Sequence, residues 1–269
     1  MKFCRFQPLE FSAAVTRAEE TFSPSPRIGK IEGDHVHELT GSLLGETHPT
    51  GNTWNLSEVA LLPPVVPSKI VCVGRNYVDH VAELRNEIPT EPFIFLKPPS
   101  SIIAPGEAIV LPAVSARVDY EGELCVIMGK RCARLEDSDD VKPYILGYTC
   151  LNDVTARDLQ ASDSQWTRAK GFDTFCPFGP LMETDLDLDK TTVETYVNGQ
   201  RKQSAPISLM IFSVDVIIHW ISCIMTLEPG DILATGTPAG VGPLAAGDIV
   251  EVVVSGIGTL RNPVQRRAE

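Results

Sequence analysis

No two cysteines of the chain stand at the C-x-x-C spacing of a thiolate metal site, and the seven that occur are scattered. Several lie in apolar strings such as Ile70-Val71-Cys72-Val73, the setting of reduced, buried thiols that pack as small hydrophobes. A zinc site made of thiolates is therefore not expected. Cations are also in deficit. The chain has 23 Lys and Arg against 35 Asp and Glu, a formal net charge of −12, and no basic cluster interrupts that field. Such a surface repels phosphate backbones, so no nucleic-acid partner is expected. A membrane-spanning run is missing too. The most apolar stretch, Ile207 to Leu227, carries Asp215 and His219 and is broken by serines, which predicts a buried helix. Met1 to Phe6 leads into Pro8 and Glu10 without an apolar core, so no signal peptide is expected and a cytoplasmic location is.

What is present is ordinary globular material: 269 residues, 43% hydrophobic and 22% charged, with no internal repeat. Residues 1–64 read as a small N-terminal β domain and its linker, and residues 65–269 as the catalytic domain. The first part has short alternating segments punctuated by Ser-Pro-Ser-Pro at 23–26, Gly33-Asp34 and Pro49-Thr50-Gly51-Asn52. Ile28 to Leu39 reads as a hairpin turning at Gly33-Asp34. Leu61 to Pro67 reads as a stiff linker, since proline fixes φ and removes donors.

The second part is rich in short strands: Lys69 to Val73, Pro92 to Lys97, Glu121 to Met128, Val193 to Val197 ahead of the hairpin signal Asn198-Gly199, and Val250 to Val254. Two helices are expected. One spans about Tyr77 to Asn86; the other starts at a Ser213 N-cap, with Val214, Ile217, Ile218, Ile221 and Met225 at helical spacing. Many short strands separated by Gly and Pro turns favour a mixed α/β, mainly β architecture over a doubly wound parallel sheet.

Asp119-Tyr120-Glu121-Gly122-Glu123 is the sharpest chemical signal. In a strand Glu121 and Glu123 face the same way, and two such carboxylates repel unless a cation lies between them. A solvated strand face is the plain alternative. The strand that follows, Leu124 to Met128, is apolar, and carboxylates entering an interior need a partner such as a hard divalent cation. Asp153 lies thirty residues after Glu123, where an apolar strand turns toward a helix. It reads either as an N-cap or as a third oxygen ligand, in which case Mg²⁺ or Mn²⁺ keeps open positions for water or substrate.

Lys170, flanked by aromatics, is either surface charge or a holder of a substrate carboxylate or developing enolate. His80 and Glu83 are three apart on the expected helix, the spacing of a carboxylate-oriented general base and equally of an incidental pair on a charged helix face. The polar, turn-rich Arg85 to Thr90 is suited to a lid. Thr235-Gly236-Thr237-Pro238-Ala239-Gly240 lacks a P-loop lysine and a dinucleotide fingerprint. It is either a tight turn or a backbone approach to an anion, with Thr237 offering a hydroxyl. His35 and His37 read as surface histidines.

Five segments in order resemble the fumarylacetoacetate hydrolase family: Gly74-Arg75-Asn76-Tyr77 with Asp79-His80; Glu121-x-Glu123; Asn152-Asp153 with Thr155-Ala156-Arg157-Asp158; Lys170-Gly171-Phe172-Asp173; and Leu233-Ala234-Thr235-Gly236-Thr237-Pro238-x-Gly240-Val241-Gly242. They cover roughly residues 68 to 260. The acylpyruvate hydrolase and oxaloacetate decarboxylase branch is most similar, together with bacterial hydroxymuconate-type isomerases.

The resemblance implies a β-roll catalytic domain, a homodimer, and Mg²⁺ or Mn²⁺ held by Glu121, Glu123 and Asp153. It implies His80, Glu83 and Lys170 as catalytic residues, with His80 and Glu83 on a closing lid. Arg75, Gln160, Lys170, Gly236 and Thr237 are then expected to touch a small 2-oxo acid. The expected reaction is carbon–carbon cleavage through an enolate, either acylpyruvate hydrolysis or oxaloacetate decarboxylation, with isomerisation of a hydroxymuconate-type diacid as the alternative. A further aspartate ligand found in the larger eukaryotic hydrolases has no counterpart here. Outside the family, a metal-stabilised binding protein and a nucleotide-binding protein are the competing readings. The His80–Glu83 pair counts against the first, and the missing P-loop lysine against the second.

Overall fold

Five strands of the N-terminal region lie edge to edge: β1 (Lys2–Pro8), β2 (Arg27–Glu32), β3 (His35–Gly41), β4 (Thr47–Asn55) and β5 (Val59–Leu62). The structure is a computed structural model that describes residues 1–9, 25–136 and 138–266. Ser23 and Pro24 of the Ser-Pro-Ser-Pro stretch lie outside the described residues. The hairpin of β2 and β3 turns at Gly33, whose φ of 60° suits glycine. His35 is exposed and His37 partly so.

The expected linker begins later than its sequence suggests. Leu61 and Leu62 pair with Phe6 and Arg5 of β1, because that edge offers backbone partners up to the point where Pro63 removes a donor.

In the remainder, β6 (Ile70–Gly74) leads through α1 (Val78–Glu83) to β7 (Phe93–Lys97). Three short strands follow: β8 (Ile102–Ile103), β9 (Ile109–Leu111) and β10 (Val118–Tyr120). The pair β11 (Gly122–Met128) and β12 (Ile145–Asn152) comes next, then β13 (Thr155–Ala156), α2 (Arg157–Ser162), α3 (Thr167–Lys170) and β14 (Cys176–Glu183). The hairpin β15 (Thr192–Val197) and β16 (Gln200–Pro206) turns at Asn198-Gly199, both at positive φ as that hairpin turn requires. α4 (Val214–Ile224), β17 (Ile232–Ala234), β18 (Gly242–Pro243), β19 (Ile249–Val254) and β20 (Gly258–Arg266) complete the order.

The large sheet runs β4-β3-β2-β1-β14-β12-β11-β17-β6-β7, with β5 paired to β1 and β8 to β14. Through Lys2↔Glu183 and Phe3↔Met182 the N-terminal strands continue the same sheet. A second sheet, β16-β15-β19-β20-β9, and a small one, β13-β10-β18, complete the mainly β fold expected.

β11 is buried on both faces. Leu124, Val126 and Met128 join one apolar cluster with α4, while Cys125 and Ile127 join another with Ile70 and Cys72 of β6. Each such side chain contributes about 1.5–3 kcal/mol on burial, which makes this strand a firm base for the acidic residues at its start.

Ser213 caps α4 as expected, accepting from Val216 N–H, but Met225 is already extended. That helix exposes Cys223, the one cysteine described as exposed; the other six are buried. α1 is shorter than Tyr77 to Asn86. It closes at Leu84, and Arg85 then adopts a φ of 54°, a left-handed turn that cannot continue a helix. No helix among the described residues is long and apolar enough to cross a membrane.

Candidate active site

The start of β11 and the end of β12 place the acidic residues. Gly122 pairs with Asn152, Glu121 N–H donates to Asn152 Oδ1 at 2.9 Å, and Asp153 N–H donates to the Glu121 carbonyl at 2.8 Å. Glu121 itself precedes the strand. The glycine between the two glutamates has a packing reason: a Cβ there would come within 2.1 Å of Thr195 Oγ1 on the overlying β15. Glu123 Oε2 accepts Gly236 N–H at 2.7 Å. Gly236 holds a φ of 98° against Asn76, whose side chain donates to the Phe212 and Thr235 carbonyls. One ligand atom from each of Glu121, Glu123 and Asp153 falls within 4.8 Å of the others, and all three residues are buried, with exposures of 4%, 2% and 1%.

A chain of alternating charge surrounds this trio. Lys170 Nζ donates to Glu121 Oε2 at 2.7 Å and to Asp153 Oδ2 at 2.6 Å. Lys97 Nζ donates to Asp153 Oδ1 at 2.6 Å. Arg157 reaches Glu121 through Nη2, Asp119 Oδ2 through Nε at 2.9 Å, and Gln160 Oε1 through Nη1 at 2.6 Å. Arg117 closes the chain on Asp119 from its exposed side.

Burial opposes ionisation of Glu121, but Lys170, Arg157 and His80 outweigh it and hold its carboxyl well below the usual range. Burial also works against the Lys170 ammonium, and Asp153 and Glu121 outweigh that, keeping it charged. Glu123 goes the other way: burial, then the charges of Asp153 and Glu121, push its carboxyl well up. Its one direct hydrogen-bond partner among the described residues is a backbone N–H. An oxygen-only trio in which one buried carboxylate is repelled by two others, with no ion pair of its own, fits a hard divalent cation of the Mg²⁺ or Mn²⁺ type.

His80 faces the same cleft from α1. It is buried, and its Nδ1 lies 3.3 Å from Glu83 Oε2. Both Glu83 oxygens lie 3.1 Å from Gly240 N–H, so this carboxylate ties α1 to the glycine turn. Burial lowers the His80 pKa against the pull of Glu121 and Glu83, leaving a neutral imidazole favoured near pH 7.

Arg75, Gln160, Lys170 and Thr237 line the cleft with His80 and the trio. The Gly236 N–H is given to Glu123, and the Thr237 hydroxyl donates to the Gly122 carbonyl at 2.9 Å, so both of these donors are used within the chain. Arg85 to Thr90 has no regular structure except a turn or bend at its ends.

Four participants escaped the sequence reading. Arg157 lies in the third of the family-like segments, and Gln160 three residues on shares its face of α2, the one local sign of its place in the cleft. Lys97 closes an apolar strand ahead of two prolines, a faint sign of a buried cation. Asn76 fixes the turn after β6 through Phe212 and Thr235. Gln203 bonds Gly122 N–H and the Thr237 hydroxyl from a hairpin that reads as solvent-facing, so nothing local marks it.

Residues 69–265 match the family described as fumarylacetoacetate (FAA) hydrolase C-terminal, and residues 21–64 match Rv2993c-like, N-terminal. The chain belongs to the fumarylacetoacetate hydrolase family. Its relatives include oxaloacetate tautomerase YisK of Bacillus subtilis, 42% identical over 226 residues, covering 78% of this chain and 75% of that one. A solved 5-carboxymethyl-2-hydroxymuconate delta-isomerase from Mycobacterium smegmatis superposes with a TM-score of 0.87 at 42% identity, covering 99% of this chain and all of the other. Maleylpyruvate hydrolase from Sphingobium sp. SYK-6, solved with manganese(II) and pyruvate, superposes with a TM-score of 0.80 at 28% identity over the whole of both chains. The family and fold expected from the five motifs are thus established, and these fumarylacetoacetate hydrolase relatives are enzymes.

Proposed function

We propose that this chain moves a proton at the carbon next to the 2-oxo group of a small 2-oxo acid, with keto–enol tautomerisation of oxaloacetate as the leading reaction. The observation that carries the reading is one cleft with two different halves. On one side stands a buried oxygen trio that fits Mg²⁺ or Mn²⁺; on the other stands a neutral, carboxylate-oriented imidazole. The name of the Bacillus relative supports the substrate, and the manganese and pyruvate of the Sphingobium hydrolase support the metal and the 2-oxo acid end.

Glu121, Glu123 and Asp153 would hold the ion, which supplies a Lewis acid for charge developing on the 2-oxo oxygen. The residues of the chain do the rest. Glu83 accepts the Nδ1 proton of His80, leaving Nε2 with a free pair. Nε2 takes a proton from C3 as the C2–C3 double bond forms and the carbonyl electron pair moves to the 2-oxo oxygen, which takes a proton from solvent to give the enol. In the reverse direction the enol oxygen loses its proton to solvent and Nε2 returns one to C3. Lys170, charged and placed between Glu121 and Asp153, helps hold the carboxylate end.

Carbon–carbon cleavage is the second reading, favoured by the hydrolase relative. There the same His80 activates a water, and the enolate is the leaving group. A homodimer belongs to the proposal through the family resemblance, and light scattering checks it; a cytoplasmic location, expected from the sequence, remains part of the proposal.

The deciding experiment follows the ultraviolet band of enol-oxaloacetate and, in parallel, pyruvate release from oxaloacetate and an acylpyruvate. Faster decay of the enol band without pyruvate identifies a tautomerase. Stoichiometric pyruvate with no tautomerisation overturns that reading in favour of cleavage.

A further inference from the structure

Three permanent cations line the cleft: Arg75, Arg157 and Lys170. Arg157 is held by Asp119 and Glu121, and Lys170 by Glu121 and Asp153. Arg75 pairs with no carboxylate among the described residues, and its Nε is buried without a hydrogen-bond partner. Its guanidinium instead lies over two rings, 5.4 Å from the Phe93 centroid and 5.9 Å from that of Trp166. The two ring centroids are only 4.9 Å apart, so both rings cover the group from one side and leave its N–H edge for an anion.

The backbone carries a cost as well. Arg75 has a φ of 60°, the left-handed region that favours glycine. The following residue enforces the turn: Asn76 donates to Phe212 O and Thr235 O and accepts Phe212 N–H. The framework thus presents a cation to the cleft at a strained position and gives it no carboxylate partner among the described residues.

Charge points the same way. With the carboxylates ionised, Asp119, Glu121, Glu123 and Asp153 are matched in number by Arg117, Arg157, Lys170 and Lys97, all in the same chain of contacts. Beyond that balance Arg75 and the Glu83 carboxylate beside His80 offset one another, and a divalent ion then leaves positive charge in excess. A substrate with one carboxylate leaves the site short of negative charge, whereas a dianion comes closer to neutralising it.

We infer that Arg75 docks a second carboxylate, so that this cleft selects 2-oxo acids with an anionic tail over those with a neutral tail. The inference rests on the 2-oxo-acid reading above and narrows it: acylpyruvates with uncharged tails become poor ligands.

The test is calorimetric titration of the full chain in excess Mn²⁺ with two matched ligands. One is 3,3-difluorooxaloacetate, a dianion that cannot enolise. The other is 3,3-difluoro-2-oxobutanoate, with a methyl group where the second carboxylate stood. Wild-type protein is expected to bind the dianion at least about tenfold more tightly. Arg75→Gln should weaken the dianion by about ten- to a hundredfold and the monoanion by less than about twofold, with Arg75→Lys in between. Equal wild-type affinity for the two ligands overturns the inference without any variant, so a misfolded mutant does not shield it. Equal losses on both ligands in Arg75→Gln overturn it too, by making the role structural. Failure of wild-type protein to bind either ligand in Mn²⁺ is a different result, and it removes the 2-oxo-acid reading itself.

Discussion

Glu121, just ahead of β11, and Glu123, its second residue, stand two positions apart, and their surroundings drive the two carboxyl groups in opposite directions. Lys170 and Arg157 reach Glu121 directly, whereas Glu123 has burial and two like charges against it, with only the more distant charge of Lys170 and one backbone N–H in its favour. A site divided this way is incomplete in charge until a cation reaches Glu123.

Metal should therefore be read out in stability as well as in rate. Mn²⁺ at a hundredfold excess over its Kd should add about 2.7 kcal/mol, a thermal shift of several degrees. Glu123→Gln should lose that shift while melting no lower than wild type without metal, because it removes a repelled buried carboxyl. EDTA should abolish activity and Mg²⁺ or Mn²⁺ restore it. Unchanged melting of wild-type protein across a Mn²⁺ titration would count against the trio as a metal site.

pH dependence follows from His80, whose pKa burial lowers from 6.5. The acid limb of kcat/KM should lie below pH 6.5, since the neutral imidazole persists there. Glu83 raises that pKa, so Glu83→Gln should move the limb further down. For stability the sign is that of a depressed group: the contribution is full above 6.5 and is lost as pH falls through the folded-state value. A limb displaced upward in Glu83→Gln contradicts the assignment.

Loss of the imidazole separates reaction types. His80→Ala should slow tautomerisation, or hydrolysis of an acylpyruvate, by about 10²–10⁴-fold, and decarboxylation of oxaloacetate less. Mn²⁺ affinity by calorimetry should be nearly unchanged. Equal losses for every substrate would point to α1 closing the cleft as its sole contribution.

Away from the cleft, Asp231 ties the start of β6 to the turn before β17. Its buried carboxylate accepts from Ser68 N–H, the Ser68 hydroxyl, Lys69 N–H and Glu228 N–H at 2.6–3.1 Å, and it pairs with the Lys69 ammonium. Asp231→Ala leaves several donors without a partner and should cost about 3–5 kcal/mol in denaturant unfolding. Activity per folded molecule should be retained; a variant of wild-type stability would refute this role.

Much of this arrangement is local and so was readable in order along the chain. The alternation of Glu121 and Glu123, the apolar run that buries them, the three-residue spacing of His80 and Glu83, and the Asn198-Gly199 turn all express strand, helix or turn geometry over a few residues. Those periods, with five motifs in order, were enough for the fold class and the family. They could not say which solvated-looking groups are buried together.

That Lys97 and Lys170 converge on Asp153, that Glu83 ties α1 to Gly240 across 157 positions, and that Gln203 braces Gly122 were decided only when distant strands closed on one another. The physical reason is range. Backbone sterics and side-chain period act between neighbours in sequence, whereas burial and Coulomb energy depend on neighbours in space, and here those come from segments spread between Glu83 and Gly240.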